Sequence, residues 1–186
     1  MMKKVSNNLY SMGKGIENFF NTFPIYLRKI SLFLIISLYI SFFPIKVLLA
    51  TDFKTGTYIK SWKASNGESF TIEYTHSVQL TQVTESYVIK ENKIILMESY
   101  FQSYGAGLPA TTPYKFEITE KGFRIYDINQ VMEDLIYRTG AERANHKLII
   151  KNKEYVFLDF TEPRSAVEFN VKRIGFLHYL VREVLK

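Results

Sequence analysis

Residues 70–109 contain the clearest strand pattern in this chain: FTIEYTHSVQLTQVTESYVIKENKIILMESYFQSYGAGLP. It opens with strict alternation of apolar and polar side chains, which is typical of a strand with one buried face. Two more runs rich in β-branched and aromatic residues follow at 83–90 and 93–101, joined by a tight turn at Glu91-Asn92. Three successive strands with short connections predict an antiparallel meander.

Tight connections also predict which residues lie opposite each other. A two-residue turn at Glu91-Asn92 pairs Glu85 with Glu98, and a four-residue loop at 79–82 pairs His76 with Glu85. The remaining residues on this face are mostly apolar. The sequence therefore predicts a row of three polar side chains, His76, Glu85 and Glu98, that crosses an otherwise apolar face.

Such a row has three interpretations. A buried polar network that fixes the pairing of the strands is the one we favour. The second is a site that contacts a small ligand. The third is a divalent-metal site completed by His146, since two histidines and two carboxylates suit zinc or iron. No pair of ligands at short spacing supports a metal, so His76, Glu85, Glu98 and His146 remain candidates and no metal or other cofactor is predicted.

The loop that follows the third strand is rich in glycine. Gly105 and Gly107 allow positive φ angles, so consecutive N–H groups could converge on an anion. The hydroxyl groups of Ser103 and Tyr104 could add donors to such a site. A plain tight corner is the alternative that we favour for this loop.

Composition and charge limit the class of protein. The 186-residue chain has no cysteine, which excludes disulfides, thiolate metal sites and a cysteine nucleophile. Its net charge is +6, but residues 1–30 and 172–186 together carry more positive charge than that total, so residues 31–171 are slightly acidic. Positive ends that flank an apolar segment indicate a membrane protein, and nucleic acid is not predicted as a partner.

An almost wholly apolar run, ISLFLIISLYISFFPI, occupies residues 30–45. Arg28 and Lys29 on one side and Lys46 on the other can reach towards the lipid headgroups. A helix from Arg28 to Lys46 spans about 27 Å, close to the hydrocarbon thickness. The alternative is a signal peptide cleaved after Ala50, but Leu48 is a poor residue three positions before the cut. We favour an uncleaved anchor over residues 30–46. The positive-inside rule then leaves the basic tail, residues 1–29, in the cytoplasm and the C-terminal domain outside the cytoplasmic membrane.

The rest of the chain is predicted to be mainly β. Short strands at regular spacing over residues 47–171 predict an antiparallel sandwich or a partly open barrel of about ten strands. One short helix is expected at 129–138, from the spacing of its apolar residues. Residues 172–186 form an amphipathic basic segment, predicted to be a helix that either packs on the β-domain or lies on lipid.

Serine chemistry is not expected. His76 and Ser77 are neighbours in a strand, so their side chains point to opposite faces and cannot form a base–nucleophile pair. The sequence has no Gly-x-Ser-x-Gly elbow either. We expect a protein that is not an enzyme; a hydrolase stays an option only because carboxylates on an apolar face can have shifted pKa values.

Four short motifs resemble one bacterial family. They are YTHSV at 74–78, T-x-V-x-E at 81–85, E-x-x-F-x-S at 98–103 and GAGLP at 105–109. Together they are similar to domain of unknown function 1850, and the resemblance covers residues 47–171. It implies an accessory of TAXI-type TRAP transporters, with the TRAP permease or the TAXI solute-binding protein as partner. The alternative function is an independent β-barrel that binds a small ligand or a metal.

Overall fold

The structure is a computed structural model that describes residues 24–103, 111–140 and 143–185. These residues form two compact units. The first contains residues 24–43 and 175–177, and the second contains residues 44–174 and 178–185.

The first unit is built on one helix, α1, Ile25–Phe42, which is apolar on every side after Arg28 and Lys29 and has no buried residue. The hydroxyls of Ser31 and Ser41 donate to carbonyl oxygens of the preceding turn at 2.9 and 2.7 Å, so no polar group of these side chains needs water. The helix ends at Phe42, two residues before Pro44, because Phe43, the residue before the proline, is disfavoured in the helical conformation. With 18 residues and a mean hydropathy of 1.7, α1 is long and apolar enough to span a membrane.

The bounds of α1 differ from those predicted for the anchor. The helix begins five residues before residue 30, and residues 44–46 belong to a strand rather than to the helix. In the same unit the N–H of Phe176 donates to the carbonyl oxygen of Phe43 at 2.9 Å. Residues 175–177 therefore lie beside the end of α1.

The second unit is a β-sandwich, and the described residues contain eleven strands. In chain order they are β1 Pro44–Asp52, β2 Tyr58–Lys63, β3 Ser69–Thr75, β4 Gln82–Lys90, β5 Lys93–Phe101, β6 Lys115–Thr119, β7 Gly122–Met132, β8 Leu135–Arg138, β9 Lys147–Ile150, β10 Lys153–Val156 and β11 Ala166–Gly175. One sheet has the order β2-β1-β11-β8 and the other the order β10-β9-β3-β4-β5-β7-β6. All the strand pairs of the two sheets are antiparallel. The predicted all-β class is confirmed as an open sandwich, since neither sheet closes into a barrel within the described residues.

The core lies between the two sheets. Inward-facing side chains of both sheets form one cluster, whose most deeply buried members are Leu48, Phe70, Ile72, Tyr87, Ile89, Leu148, Phe157, Val167 and Phe169. A smaller cluster of Val83, Phe101, Ile125 and Ile128 extends it under β4, β5 and β7. Burial of apolar area at about 25 cal/mol per Å² makes this layer the main source of stability.

The predicted meander is confirmed, but two of its registers differ from expectation. Strand β3 pairs Ile72, not His76, with Glu85. Strand β4 pairs Ile89 with Ile94 as predicted, yet a bulge at Met97 then places Ser99 opposite Glu85. The pairing of β3 with β4 is shifted by four residues from the predicted one. Because four is an even number, the side chains of β3 stay on their predicted faces. The bulge shifts the register by one residue and moves Glu98 to the other face.

The helix predicted at 129–138 is wrong. Residues up to Met132 continue β7, and Leu135–Arg138 is β8. In β8 the buried residues alternate, with Leu135 and Tyr137 inward, which is the period of a strand. Pairing with β5 and β11 supplies hydrogen bonds that override the local helical spacing.

A short helical segment follows β11, as predicted, but it begins at Phe176 rather than at residue 172, because residues 172–175 continue the strand. One α-helical stretch, α2 Phe176–Tyr179, continues into a π-helical turn, Leu180–Val184. Within the second unit, Glu183 accepts a hydrogen bond from the Tyr58 hydroxyl and another from the Ser61 N–H at 2.9 Å. The apolar residues of the tail are largely exposed, including Leu177, Val181, Val184 and Leu185. Glu183, together with His178 and Arg182 on the ring of Tyr58, thus attaches the tail to β2, while the apolar side chains stay exposed.

Candidate functional site

Glu85 is the most unusual residue of the core face. It lies at the centre of β4, between Ile72 of β3 and Ser99 of β5. Strand alternation puts it on the same face as the buried Val83 and Tyr87. A carboxylate in this position loses hydration and needs other polar groups to stabilise it.

Two tyrosines supply those polar groups. The hydroxyl of Tyr137 donates a short hydrogen bond to Oε2 of Glu85, and the hydroxyl of Tyr87 lies 3.3 Å from the same oxygen. The two hydroxyls are 2.7 Å apart. Tyr87 comes from β4 and Tyr137 from β8, so the network links the two sheets across the core.

Burial and hydrogen bonding act in opposite directions on Glu85. Loss of hydration raises the pKa of its carboxyl above the usual range, while the hydrogen bonds from Tyr137 and Tyr87 lower that pKa. Burial and the nearby carboxylate also raise the pKa values of Tyr74, Tyr87 and Tyr137, so all three hydroxyls stay protonated as donors. Among the described residues, no lysine, arginine or histidine forms an ion pair with Glu85.

Glu85 also lines a cleft of about 320 Å³. One part of its wall is apolar and comes from Val83, Leu96, Pro113, Ile125 and Ile128. The polar part includes Tyr74, Ser99, Thr112, Tyr114 and Gln130. A cleft with apolar walls and a few polar groups is the usual form of a small-molecule site.

His146 belongs to the aromatic cluster behind this network. Its ring stacks on Tyr74 with 5.2 Å between centroids and lies 5.4 Å from Phe157. Only 8% of the residue is exposed, and burial lowers the pKa of its imidazole to about 4. His146 is therefore a neutral core residue at physiological pH.

His76 does not join Glu85 in a row across the strands. Strand β3 ends at Thr75, and His76 starts the loop to β4. Its Nδ1 accepts hydrogen bonds from the N–H groups of Val78 and Gln79, both at 3.3 Å. The side chain thus holds a turn, which explains why the connection is longer than predicted.

Glu98 lies on the opposite face of the sheet from Glu85, so the predicted row is wrong for this residue as well. Its Oε2 is 2.6 Å from one guanidinium nitrogen of Arg124. A second guanidinium nitrogen of Arg124 lies 3.4 Å from a carboxylate oxygen of Glu117. The pairing raises the pKa of the Arg124 guanidinium, chiefly through the hydrogen bond that the guanidinium donates to Glu98. The outer face of the sheet therefore carries an ion-paired cluster, in which one guanidinium contacts two carboxylates, in contrast to the core face.

The remaining predicted site residues are at the end of β5. The Oγ of Ser103 lies 2.9 Å from Oγ1 of Thr81, so this hydroxyl joins two loops. Tyr104, Gly105 and Gly107 lie outside the described residues. In the described parts of the chain, no group of three or more His, Asp or Glu side chains is arranged to hold a metal ion.

Sequence reasoning missed the tyrosines of the site. Tyr137 was assigned to a helix, although Leu135, Tyr137 and Thr139 repeat at intervals of two, as buried residues of a strand do. Strand alternation puts Tyr74 and Tyr87 on the same face as Glu85, but nothing in the sequence connects their hydroxyls with its carboxylate. Only the packing of β8 over β4 brings these hydroxyls together.

Fold and site define a class of protein: a two-sheet antiparallel β-domain, preceded by an apolar helix, with a tyrosine-bound carboxylate beside an open cleft. The family model of DUF1850, a domain of unknown function, matches residues 70–157, from β3 to the residue after β10. The match covers a little under half of the chain, and over this stretch, which includes Glu85, Tyr87, Tyr137 and His146, the chain is similar to that family. No curated protein and no solved structure matches the chain significantly.

Proposed function

We propose that this protein is a membrane-anchored, non-catalytic, extracytoplasmic accessory of a TAXI-type TRAP transport system. In this proposal α1 stays in the cytoplasmic membrane and holds the β-sandwich on the outer side. The proposal has two parts, an anchor and a transport role, and each has its own support.

The observation that carries the anchor is the position of β1. This strand begins at Pro44, two residues after α1 ends, and lies inside its sheet between β2 and β11. Val47, Leu48 and Ala50 are completely buried. A signal peptidase cut after Ala50 would remove these side chains from the core, which costs several kcal/mol by the usual values for large-to-small substitutions. An uncleaved helix keeps the strand whole.

The charged residues of the chain favour one orientation. Arg28 and Lys29 lie in the N-terminal part of α1, and the preceding residues are also basic. By the positive-inside rule this end stays in the cytoplasm. The β-domain, which is nearly neutral, then lies on the extracytoplasmic side.

The C-terminal tail also favours a membrane surface. The apolar side chains of Leu177, Val181 and Leu185 are between 48% and 69% exposed. Lys172, Arg173 and Arg182 are close to them in the chain, while the one acidic residue of the tail is turned towards β2. Exposed apolar residues with basic neighbours are typical of segments that lie in the headgroup region.

The transport role rests on the resemblance of the four motifs to the TRAP-associated family, together with the family match over residues 70–157. An accessory with this architecture could assist docking of the solute-binding protein to the permease, or could stabilise the permease. The TRAP permease and the TAXI solute-binding protein are therefore the proposed partners.

Genetic complementation tests both parts together. Deletion of the gene should impair uptake by the neighbouring TRAP system, and the wild-type gene should restore it. Ile35→Lys puts a charge at the centre of α1 at a cost of about 3 kcal/mol for insertion, whereas Ile25→Lys puts the same charge at the helix end. We expect only Ile25→Lys to restore uptake. Normal uptake in the deletion strain under substrate limitation contradicts the transport role, and restoration by Ile35→Lys contradicts the need for the anchor.

One observation favours a second function, the binding of a small ligand by the β-domain. That observation is the cleft beside Glu85, where a carboxylate without a basic partner meets an apolar wall.

A further inference from the structure

The cleft beside Glu85 has an uneven charge distribution. Glu85 is the only charged side chain among the described residues that line it. The other lining groups are apolar side chains, hydroxyls and one amide. The cleft is therefore a site with one negative charge and low polarity.

The carboxylate has hydrogen-bond capacity to spare. Both of its hydrogen bonds to described residues, from Tyr87 and Tyr137, go to Oε2. Neither tyrosine carries a positive charge, so the negative charge of the ionised carboxylate stays uncompensated. The other glutamate in this part of the sheet, Glu98, has its charge balanced by Arg124 at 2.6 Å.

An organic cation would supply what this site lacks. An ammonium group on Glu85 forms a charge-assisted hydrogen bond and offsets the loss of hydration of the carboxylate. The aromatic rings of Tyr74 and Tyr114 line the same cleft and add surfaces to which cations are attracted. An anion would instead be repelled by Glu85.

We propose that the cleft binds a small organic cation, with its ammonium group on the carboxylate of Glu85 and its apolar body against Val83, Leu96 and Ile128. The volume of about 320 Å³ is at the lower end of the range for small-molecule pockets, so the ligand is a small monocation rather than a peptide. The proposal concerns the β-domain alone and does not depend on the transport role.

Three molecules of the same shape and different charge test the proposal: benzylammonium, benzyl alcohol and benzoate. Each is titrated calorimetrically into the full-length protein in a neutral detergent, at about pH 8, well above the ordinary pKa of a glutamate, because burial raises the pKa of Glu85. We expect benzylammonium to bind at least about tenfold more tightly than the other two, since it alone forms the charge-assisted contact.

Variants identify the site. Glu85→Gln keeps the shape of the side chain and should weaken benzylammonium binding about tenfold, whereas Glu98→Gln, on the opposite face, should leave it unchanged. Ser99→Leu is an independent test of the same site, in case Glu85→Gln does not fold. It places an apolar side chain in the cleft, opposite Glu85, and should abolish binding. The proposal is overturned if benzylammonium does not bind, if benzoate or benzyl alcohol binds as tightly, or if either cleft variant binds like the wild type.

Discussion

Replacement of Tyr137 by phenylalanine tests the network that holds Glu85. The change removes one hydroxyl, which donates to Oε2 of Glu85 and lies 2.7 Å from the hydroxyl of Tyr87. Hydrogen bonds to charged groups contribute about 1.5–3 kcal/mol, so we expect the free energy of unfolding to fall by about 2 kcal/mol at neutral or higher pH. The ring and its aromatic contacts remain in place.

The loss should depend on pH with a definite sign. Burial raises the pKa of Glu85 in the folded state, so the protonated carboxyl contributes stability that is present below its unfolded pKa and is lost as pH rises through the folded pKa. The Tyr137 hydroxyl opposes that shift because it stabilises the ionised form. Without it the pKa of Glu85 rises further, and Tyr137→Phe should cost more at high pH than at low pH.

Denaturant unfolding of the full-length protein in detergent measures this loss. Trp62 is the only tryptophan and is buried in the core, so its fluorescence reports the unfolding of the sandwich. Tyr100→Phe is the matched control, because its hydroxyl makes only a 3.3 Å contact with Thr119 and should cost less than about 0.5 kcal/mol at any pH. Equal losses for the two variants, or a Tyr137→Phe loss that does not change with pH, would refute the network.

Three further predictions concern other parts of the molecule. Burial lowers the pKa of His146 to about 4, so its contribution to the free energy of unfolding is present above the unfolded pKa and is lost as pH falls below it. The wild type should therefore lose about 2 kcal/mol of stability between about pH 7 and about pH 5. His146→Phe should abolish this loss when unfolding is measured across the same pH range. Gly122→Ala should lower the free energy of unfolding by more than about 2 kcal/mol, since the added Cβ would lie 2.5 Å from a carbonyl oxygen of β5. Gly67 also has a positive φ but faces open space, so Gly67→Ala should cost only about 1 kcal/mol in the same chemical unfolding experiment. A fluorophore on Val181→Cys should be quenched by nitroxide-labelled lipids, and one on Leu158→Cys, in the β-domain, should not; equal quenching would contradict a tail on the membrane surface.

Alternation within strands made part of the site predictable. The even spacing of Val83, Glu85 and Tyr87 put a carboxylate on the core face, and the structure confirms that placement. Side-chain direction in a strand depends only on parity, so an error of four residues in the register of β3 did not affect it. The prediction that Glu85 lies on the core face therefore did not require the correct register between β3 and β4.

The neighbours of Glu85 could not be predicted in the same way. The bulge at Met97 has no distinct local signal, and it moves Glu98 to the outer face, where Arg124 balances its charge. His76 forms hydrogen bonds within its own loop, which lengthens the connection between β3 and β4. Tyr137 reaches Glu85 from another sheet, and such long-range contacts leave no periodic pattern in the sequence.

The C-terminal tail shows a similar limit. Its apolar stripe was predicted correctly as an amphipathic helix, but periodicity alone left packing and lipid contact as alternatives. The structure attaches the tail through Glu183 to Tyr58 and Ser61. Since a buried acidic side chain takes the place of the apolar contact, the exposed stripe remains available to lipid.

The intact mass of the native protein, purified from whole cells without a tag at its N-terminus, decides whether α1 is an anchor. We expect a chain that retains α1, Ile25–Phe42, and remains in the membrane fraction after a carbonate wash. Retention is expected because β1 follows the helix after one residue, and its buried residues Val47, Leu48 and Ala50 belong to the core. A mature chain that begins near Thr51 would contradict the anchor and, with it, the proposed attachment of the β-sandwich to the membrane.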